Sequence, residues 1–246
     1  MVRMSGELTV AVAQPVTTTG DVEANAARHA EAVVAAGARL VIFPELSLTG
    51  YDLEAGPVDP EDSRLGALMV ACARTGTLAL AGAPVEGADR PFIAVLAIGS
   101  AGDDQRARPR VVYRKRHLGP AEQLRFAPGD APTTIEIDGW RVGLGICKDT
   151  GTPEHVQAMA DLDLDLYAAG LVHRASERTE TERRAQVIAA ATGAPVALAS
   201  FAGPTGSGYD ATAAHSGIWS AAGARLADAG DRPGAIATHT LTRPQP

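Results

Sequence analysis

Short apolar runs recur along the chain, each followed by helical periodicity or by Gly/Pro punctuation. Runs of about four to eight apolar residues read as buried strands, and helices alternating with them cover the sheet they form. Leu8–Ala13 is the first such strand, followed by a helix predicted over Asp21–Ala36 with Asp21 as N-cap and Gly37 as stop. Leu40–Phe43 is the next strand. Over Glu61–Thr75 the residues Leu65, Leu68, Met69 and Cys72 fall at i, i+3, i+4 and i+7, a helical face. Strands follow at Leu78–Ala81, Ile93–Ile98, Val111–Arg114, Thr133–Ile137 and Arg141–Ile146, with Asp138-Gly139 a tight turn between the last two. Ser100–Pro109 is charged and contains Gly, so it reads as an exposed hairpin tip. Pro153–Ala160 and Glu177–Ala191 are predicted helices, separated by a strand at Leu164–Ala169. Pro195–Ala199, Ser216–Trp219, Arg225–Ala227 and Ala235–Thr238 complete the strands. About eleven or twelve strands with four helices, partly alternating and partly in hairpin order, imply mixed sheets covered by helices. One α/β domain over residues 1–246 is expected, without internal repeat or linker.

Of the 246 residues, 46% are hydrophobic, enough for one sizeable core. The 22 basic and 29 acidic residues leave a formal charge of −7, the wrong sign for a nucleic-acid binder. Cys72 and Cys147 are the two cysteines, which make neither a disulfide framework nor a CxxC pair. A reduced, cytoplasmic setting is therefore expected. No apolar stretch reaches the length of about 18 residues that a membrane span needs, and Met1–Glu7 is too short and polar for a signal peptide.

Three short segments carry chemistry. Phe43-Pro-Glu45-Leu-Ser-Leu-Thr-Gly-Tyr51 puts a carboxylate after one apolar strand. Tyr113-Arg-Lys115-Arg-His-Leu118 puts an amine after a second, and Gly143-Leu-Gly-Ile-Cys147-Lys-Asp-Thr150 puts a thiol after a third. A thiol nucleophile needs a base, a cation that favours the thiolate, and donors for the developing oxyanion. Glu45, Lys115 and the backbone N–H of Lys148 would supply them. Spacing alone does not bring these residues together.

In that order and at those separations, about 70 residues from Glu45 to Lys115 and about 32 from Lys115 to Cys147, the segments resemble the nitrilase superfamily of carbon–nitrogen hydrolases. Supporting matches run from Ala11-Val-Ala-Gln14 through Asp21–Asn25 to Gly217–Gly223, so the resemblance covers nearly the whole chain. It implies an αββα sandwich of two mixed β-sheets flanked by helices, a Glu45–Lys115–Cys147 triad, no cofactor, and a homodimer. It also implies a supporting role for Glu122, positioning the lysine and the substrate. The activity expected is hydrolysis of a small carboxamide to acid and ammonia. An N-carbamoyl amine, the ω-amide of a keto acid or a nitrile can be handled by the same triad, and a non-catalytic binding protein is the rival of another class.

Lys148, His173 and Tyr51 are the candidate substrate contacts. Lys148 stands where relatives often place an aromatic or small residue, and either recognises an anionic group or points outward. His173 lies four residues beyond the strand ending at Ala169. With four Phe, four Tyr and two Trp, an aromatic-walled pocket is not expected, and a polar or aliphatic amide fits better than an arylacetonitrile. Gly203-Pro-Thr-Gly-Ser-Gly208 lacks the lysine of a phosphate loop and reads as a flexible loop at the pocket mouth. Cys72, on the apolar face of its helix, reads as a packing residue. A Cys147–His155 dyad is the rival catalytic arrangement. No histidine pair has metal-ligand spacing with a supporting carboxylate, so no metal is expected.

Overall fold

The computed structural model describes residues 6–101 and 108–243, so most of the expected hairpin tip at Ser100–Pro109 lies outside the described residues. The first half of the chain runs β1 (Glu7–Ala13), α1 (Val22–Ala36), β2 (Leu40–Ile42), α2 (Gly66–Thr75), β3 (Leu78–Val85), β4 (Phe92–Ile98) and β5 (Arg110–Arg114). After a short α3 (Pro120–Gln123) and β6 (Thr134–Ile137), the second half runs β7 (Trp140–Ile146), α4 (Pro153–Ala160), β8 (Leu166–Gly170), α5 (Arg178–Thr192), β9 (Val196–Ala199), β10 (Gly217–Trp219) and β11 (Arg225–Asp228), and β12 (Ile236–Thr242) closes the first sheet.

The two six-stranded sheets have the orders β12-β1-β2-β3-β4-β5 and β11-β10-β9-β8-β7-β6. Each has a parallel trio, β1/β2/β3 or β7/β8/β9, flanked by antiparallel strands. The run β7-α4-β8-α5-β9-β10-β11 thus repeats the order of β1-α1-β2-α2-β3-β4-β5. Register and the period of two sort the side chains. Val10, Leu40 and Leu78 share a row and enter the core between the sheets, as do Leu144, Ala168 and Ala197. The neighbouring row, Ala11, Val41 and Ala79, faces the other way, onto the cluster that holds Val33 of α1 and Leu68 and Cys72 of α2. On the second sheet Ala169 and Leu198 face the cluster that holds Met159 of α4 and Ile188 of α5. The layers are therefore α, β, β, α.

Local signals explain most boundaries. Asp21 caps α1 by accepting from the N–H of Ala24 at 3.0 Å, and Gly37 ends it in the left-handed region. The helix expected over Glu61–Thr75 begins later, because Asp62 takes an extended conformation and caps a 3-10 turn at Ser63–Leu65 instead. Two polar residues, Asn25 and His29, lie on the buried face of α1. Asn25 donates to the carbonyls of Thr18 and Leu48 at 2.8 and 3.1 Å, and His29 Nε2 lies 2.8 Å from Ser47 Oγ. The helix thereby holds the turn Ser47–Thr49 that follows Glu45.

Two glycines let that segment pass between the sheets. A Cβ on Gly82 of β3 would lie 2.6 Å from the Pro44 carbonyl oxygen, and one on Gly170 of β8 would lie 2.6 Å from the Phe43 carbonyl oxygen and 2.8 Å from the Glu45 nitrogen. An alanine at Gly170 must push this backbone aside, so Gly170→Ala is expected to lower the unfolding free energy by about 1–3 kcal/mol, read from the urea midpoint. Gly66→Ala, where nothing lies within 4 Å of the added carbon, is the control. It is expected to be neutral or stabilising by up to about 1 kcal/mol. A wild-type midpoint for Gly170→Ala would refute the crowding.

Three buried histidines set a pH dependence. Burial pulls His29, His155 and His173 down to about 4. Between about pH 6.5 and pH 4 the unfolded chain takes up protons that the folded chain does not, so their effect is to lower stability as pH falls through that window, by up to about 3 kcal/mol each. The difference in unfolding free energy between about pH 7 and about pH 5 is expected to be smaller in His29→Gln than in wild type. Equal differences would mean that His29 is protonated in the fold.

Candidate active site

Each chemical group stands where a strand gives way to a turn. Glu45 follows β2, with Leu46 in the left-handed region at φ 50°. Lys115 follows β5, where its N–H donates to the Ile93 carbonyl at 2.8 Å and its carbonyl accepts from Gly129 at 2.7 Å. Both side chains are buried, Glu45 and Lys115 each 1% exposed. Lys115 Nζ donates to Glu45 Oε1 at 2.6 Å and to Glu122 Oε1 and Oε2 at 2.7 and 2.8 Å. Glu122 is fixed in turn by α3, whose entry N–H, on Gly119, donates to Oε2 at 2.6 Å. Tyr51 donates to Oε1 at 3.3 Å. A buried ammonium is tolerated only when paired and hydrogen-bonded, and here three carboxylate oxygens surround it.

Cys147 opens a 3-10 turn, Cys147–Gly151, at the end of β7 with φ 40°. A non-glycine residue held there is strained and persists only where its surroundings fix it. The Cys147 carbonyl accepts from Thr150 Oγ1 at 2.5 Å and from Arg184 Nη1 at 3.0 Å. Asp149 Oδ2 accepts from the Ile146 N–H at 3.0 Å and from Tyr113 Oη at 2.8 Å. The thiol is partly exposed and lies 3.4 Å from the Val172 carbonyl.

The charges of these groups act on one another. Burial is the largest influence on Glu45 and pushes its carboxyl well above the usual range, against the nearby Lys115 charge. Burial alone would lower Lys115, but the charges of Glu45, Cys147 and Glu122 outweigh it and hold the ammonium form. Glu45 Oε2 is buried with no hydrogen-bond partner among the described residues. A carboxylate oxygen that is free to take a proton, an anchored cation and a thiol within electrostatic reach are the parts of a thiol-based acyl transfer.

The structure brings Glu45, Lys115 and Glu122 into direct contact, with Tyr51 bound to Glu122. Lys148 is not joined to them: its Nζ donates to the Leu118 carbonyl at 2.8 Å. His173 is buried and bonded through Nδ1 to Thr181 Oγ1 at 2.9 Å, tying the exit of β8 to α5. The Gly203–Gly208 loop is pinned rather than free: Gly206 N–H and Thr205 Oγ1 each donate to the Gly50 carbonyl at 2.8 Å. It delivers Tyr209, whose ring meets Tyr51 edge-on at 5.0 Å, while Phe201 meets Tyr51 at 6.3 Å. Three of the ten Phe, Tyr and Trp rings thus meet at Tyr51, the residue bound to Glu122.

His155 bonds to Tyr167 Oη at 3.1 Å, and no hydrogen bond joins it to Cys147, so the rival dyad does not form. The fold does gather His117, Asp149 and His155 within 4.8 Å, a group that linear spacing hides. Asp149 Oδ1 is bonded to the N–H of His117 at 3.0 Å and to its ring Nδ1 at 2.8 Å, and Oδ2 takes the two donors above. Four bonds use the lone pairs of a carboxylate, so this donor set braces the nucleophile turn and suits a metal ion poorly. Burial, the largest influence on Asp149, is outweighed by the His117 hydrogen bond and neighbouring positive charge, which hold the carboxyl below its usual range. Asp149, Tyr113, Arg184 and Tyr209 are site residues that the sequence did not single out. Asp149, two residues past the thiol and at the third position of its turn, is the one a capping signal points to.

Residues 9–245 match the family model for carbon-nitrogen hydrolases. A hydrolase from the pqqF 5' region of Pseudomonas protegens is 33% identical over 152 residues, which are 57% of this chain and 50% of that protein. The chain thus spans about half the length of that relative. An (R)-stereoselective amidase from a Pseudomonas species is 48% identical over 54 residues, 22% of this chain and 20% of the amidase. Among solved structures, the cysteine-to-alanine mutant of the amidase from Nesterenkonia sp. AN1 in complex with butyramide superposes with a TM-score of 0.81 at 23% identity, over 95% of this chain and 90% of that one. With its two flanked sheets and a family match over residues 9–245, this chain belongs to the carbon–nitrogen hydrolase family.

Proposed function

We propose that the protein hydrolyses a small carboxamide to a carboxylic acid and ammonia through a thioester on Cys147. The observation that carries this reading is the buried Lys115 shared by Glu45 and Glu122, with the second oxygen of Glu45 left unpaired and its charge coupled to that of Cys147. Glu45 takes the thiol proton as Sγ attacks the amide carbon. The ammonium of Lys115 and the backbone N–H of Lys148 hold the oxyanion. As the carbon–nitrogen bond breaks, Glu45 returns the proton to the leaving nitrogen, and ammonia departs. Glu45 then deprotonates a water that attacks the thioester. The acid leaves, and the thiol is restored. Burial suits Glu45 to this exchange, since raising its pKa makes it a stronger base for the thiol proton. Glu122 positions the lysine, and Tyr51 steadies Glu122.

Amidases stand among both the relatives and the structural neighbours and a nitrilase among the relatives, so the amide is the first substrate class to test and the nitrile the second. The aromatic edge formed by Tyr51 and Tyr209 suits a short acyl chain. Homodimer assembly belongs to the same reading, and light scattering tests it by a mass twice that of the chain.

Ammonia release from a panel of aliphatic amides, ω-amides, carbamoyl amines and nitriles is the test. Release is expected from at least one amide, and to fall by at least roughly 10⁴-fold in Cys147→Ala. Carbon dioxide appearing with the ammonia would instead identify a carbamoyl substrate, and release undiminished in Cys147→Ala would end the thioester reading. Tyr51→Phe removes one hydrogen bond to Glu122 and is expected to lower kcat about 2- to 10-fold with the fold intact. An unchanged kcat would place Tyr51 outside the machinery.

A further inference from the structure

Beside the thiol turn, Arg90, Arg116, His117 and Lys148 line a second cavity of about 540 Å³, with Gln123 and Thr152 among its other walls. No carboxylate lines it among the described residues. The cations are poorly neutralised for a chain of net charge −7. Lys148 Nζ has the Leu118 carbonyl at 2.8 Å, and Arg90 Nη1 has the Gln123 carbonyl at 3.0 Å, both neutral acceptors. Arg116 makes no ion pair among the described residues, and its Nη1 is shut off from solvent without a hydrogen-bond partner. The nearest acid, Asp149, is committed to His117, Tyr113 and the Ile146 amide. A guanidinium donor withdrawn from water with no acceptor is costly, and a guanidinium and an ammonium on the walls of one cavity match the oxygens of a compact anion.

We propose that this cavity is a binding site for a phosphate-class oxyanion, separate from the site of amide attack. Arg116 and Lys148 supply the charge-assisted hydrogen bonds, and Arg90 closes the outer side. The site lies where it can influence the reaction. Arg116–Leu118 is the segment that joins Lys115 to Glu122, and Lys148 is the residue after Cys147. Occupancy of this site is read by binding rather than turnover, and so does not depend on the amide substrate.

The test is calorimetric titration of the full chain with inorganic phosphate and, separately, with glycerol 3-phosphate, at ionic strength held constant with chloride. One equivalent is expected to bind. Affinity should fall about tenfold or more in Arg116→Gln. In Arg90→Gln, at an exposed position that leaves the fold untouched, it should fall several-fold. Tighter binding of the phosphomonoester would identify the phosphoryl group of a larger metabolite as the ligand, and equal binding would identify the free anion. No saturable binding of either probe, or binding unaltered in both variants, overturns the proposal.

Discussion

Lys115 is the residue on which the site depends. Its ammonium, out of contact with water, is held by Glu45 from the turn after β2 and by Glu122 from the short helix α3. One cation thus binds the turn after β2, 70 residues away in sequence, to the short helix that follows its own turn. Taking away a single partner of such a set leaves a buried charge uncompensated, at a cost of about 3–5 kcal/mol. The set also carries more negative than positive charge once the thiol is ionised. Burial, with the neighbouring negative charge, keeps the Glu45 carboxyl well above its usual range despite Lys115.

The fold provides the close approach this requires. Both sheets present their parallel trios side by side, and the Glu45 segment crosses between them where Gly82 and Gly170 carry no side chain. The helical layers do more than cover apolar faces. Asn25 and His29 of α1 fix the turn after Glu45, and Arg184 of α5 holds the carbonyl of Cys147. Asp149 links the two sides, since its carboxylate binds the strand end before Cys147 and the His117 backbone two residues past Lys115. The strained thiol turn and the lysine turn are therefore set by the same carboxylate.

Elements with their own start and stop signals were legible in the sequence. Helix α1 lies between Asp21 and Gly37 as expected, α4 spans Pro153–Ala160 as read, and the strands fall within a few residues of their apolar runs. The stacking of the sheets came from the resemblance carried by Glu45, Lys115 and Cys147, since periodicity fixes which face is buried but not what covers it. What stayed hidden has a common cause: it depends on contacts between distant residues. Helix α3 is one turn long and exists to aim Glu122. The matching order of the two halves leaves no trace as a sequence repeat. Tyr51, Phe201 and Tyr209 look scattered until the loop after β9 is pinned to Gly50. Lys148 follows the nucleophile, yet its side chain reaches the Leu118 carbonyl.

The central claim is that Cys147 carries the acyl group. Intact-protein mass spectrometry of wild type, quenched in acid during turnover of a small aliphatic amide and followed by peptide mapping, reads this directly. The account predicts one acyl group per chain, located on the peptide containing Cys147 and absent from the one containing Cys72, whose thiol is buried and pushed up to about 12. An acyl group on any other residue during turnover would contradict it.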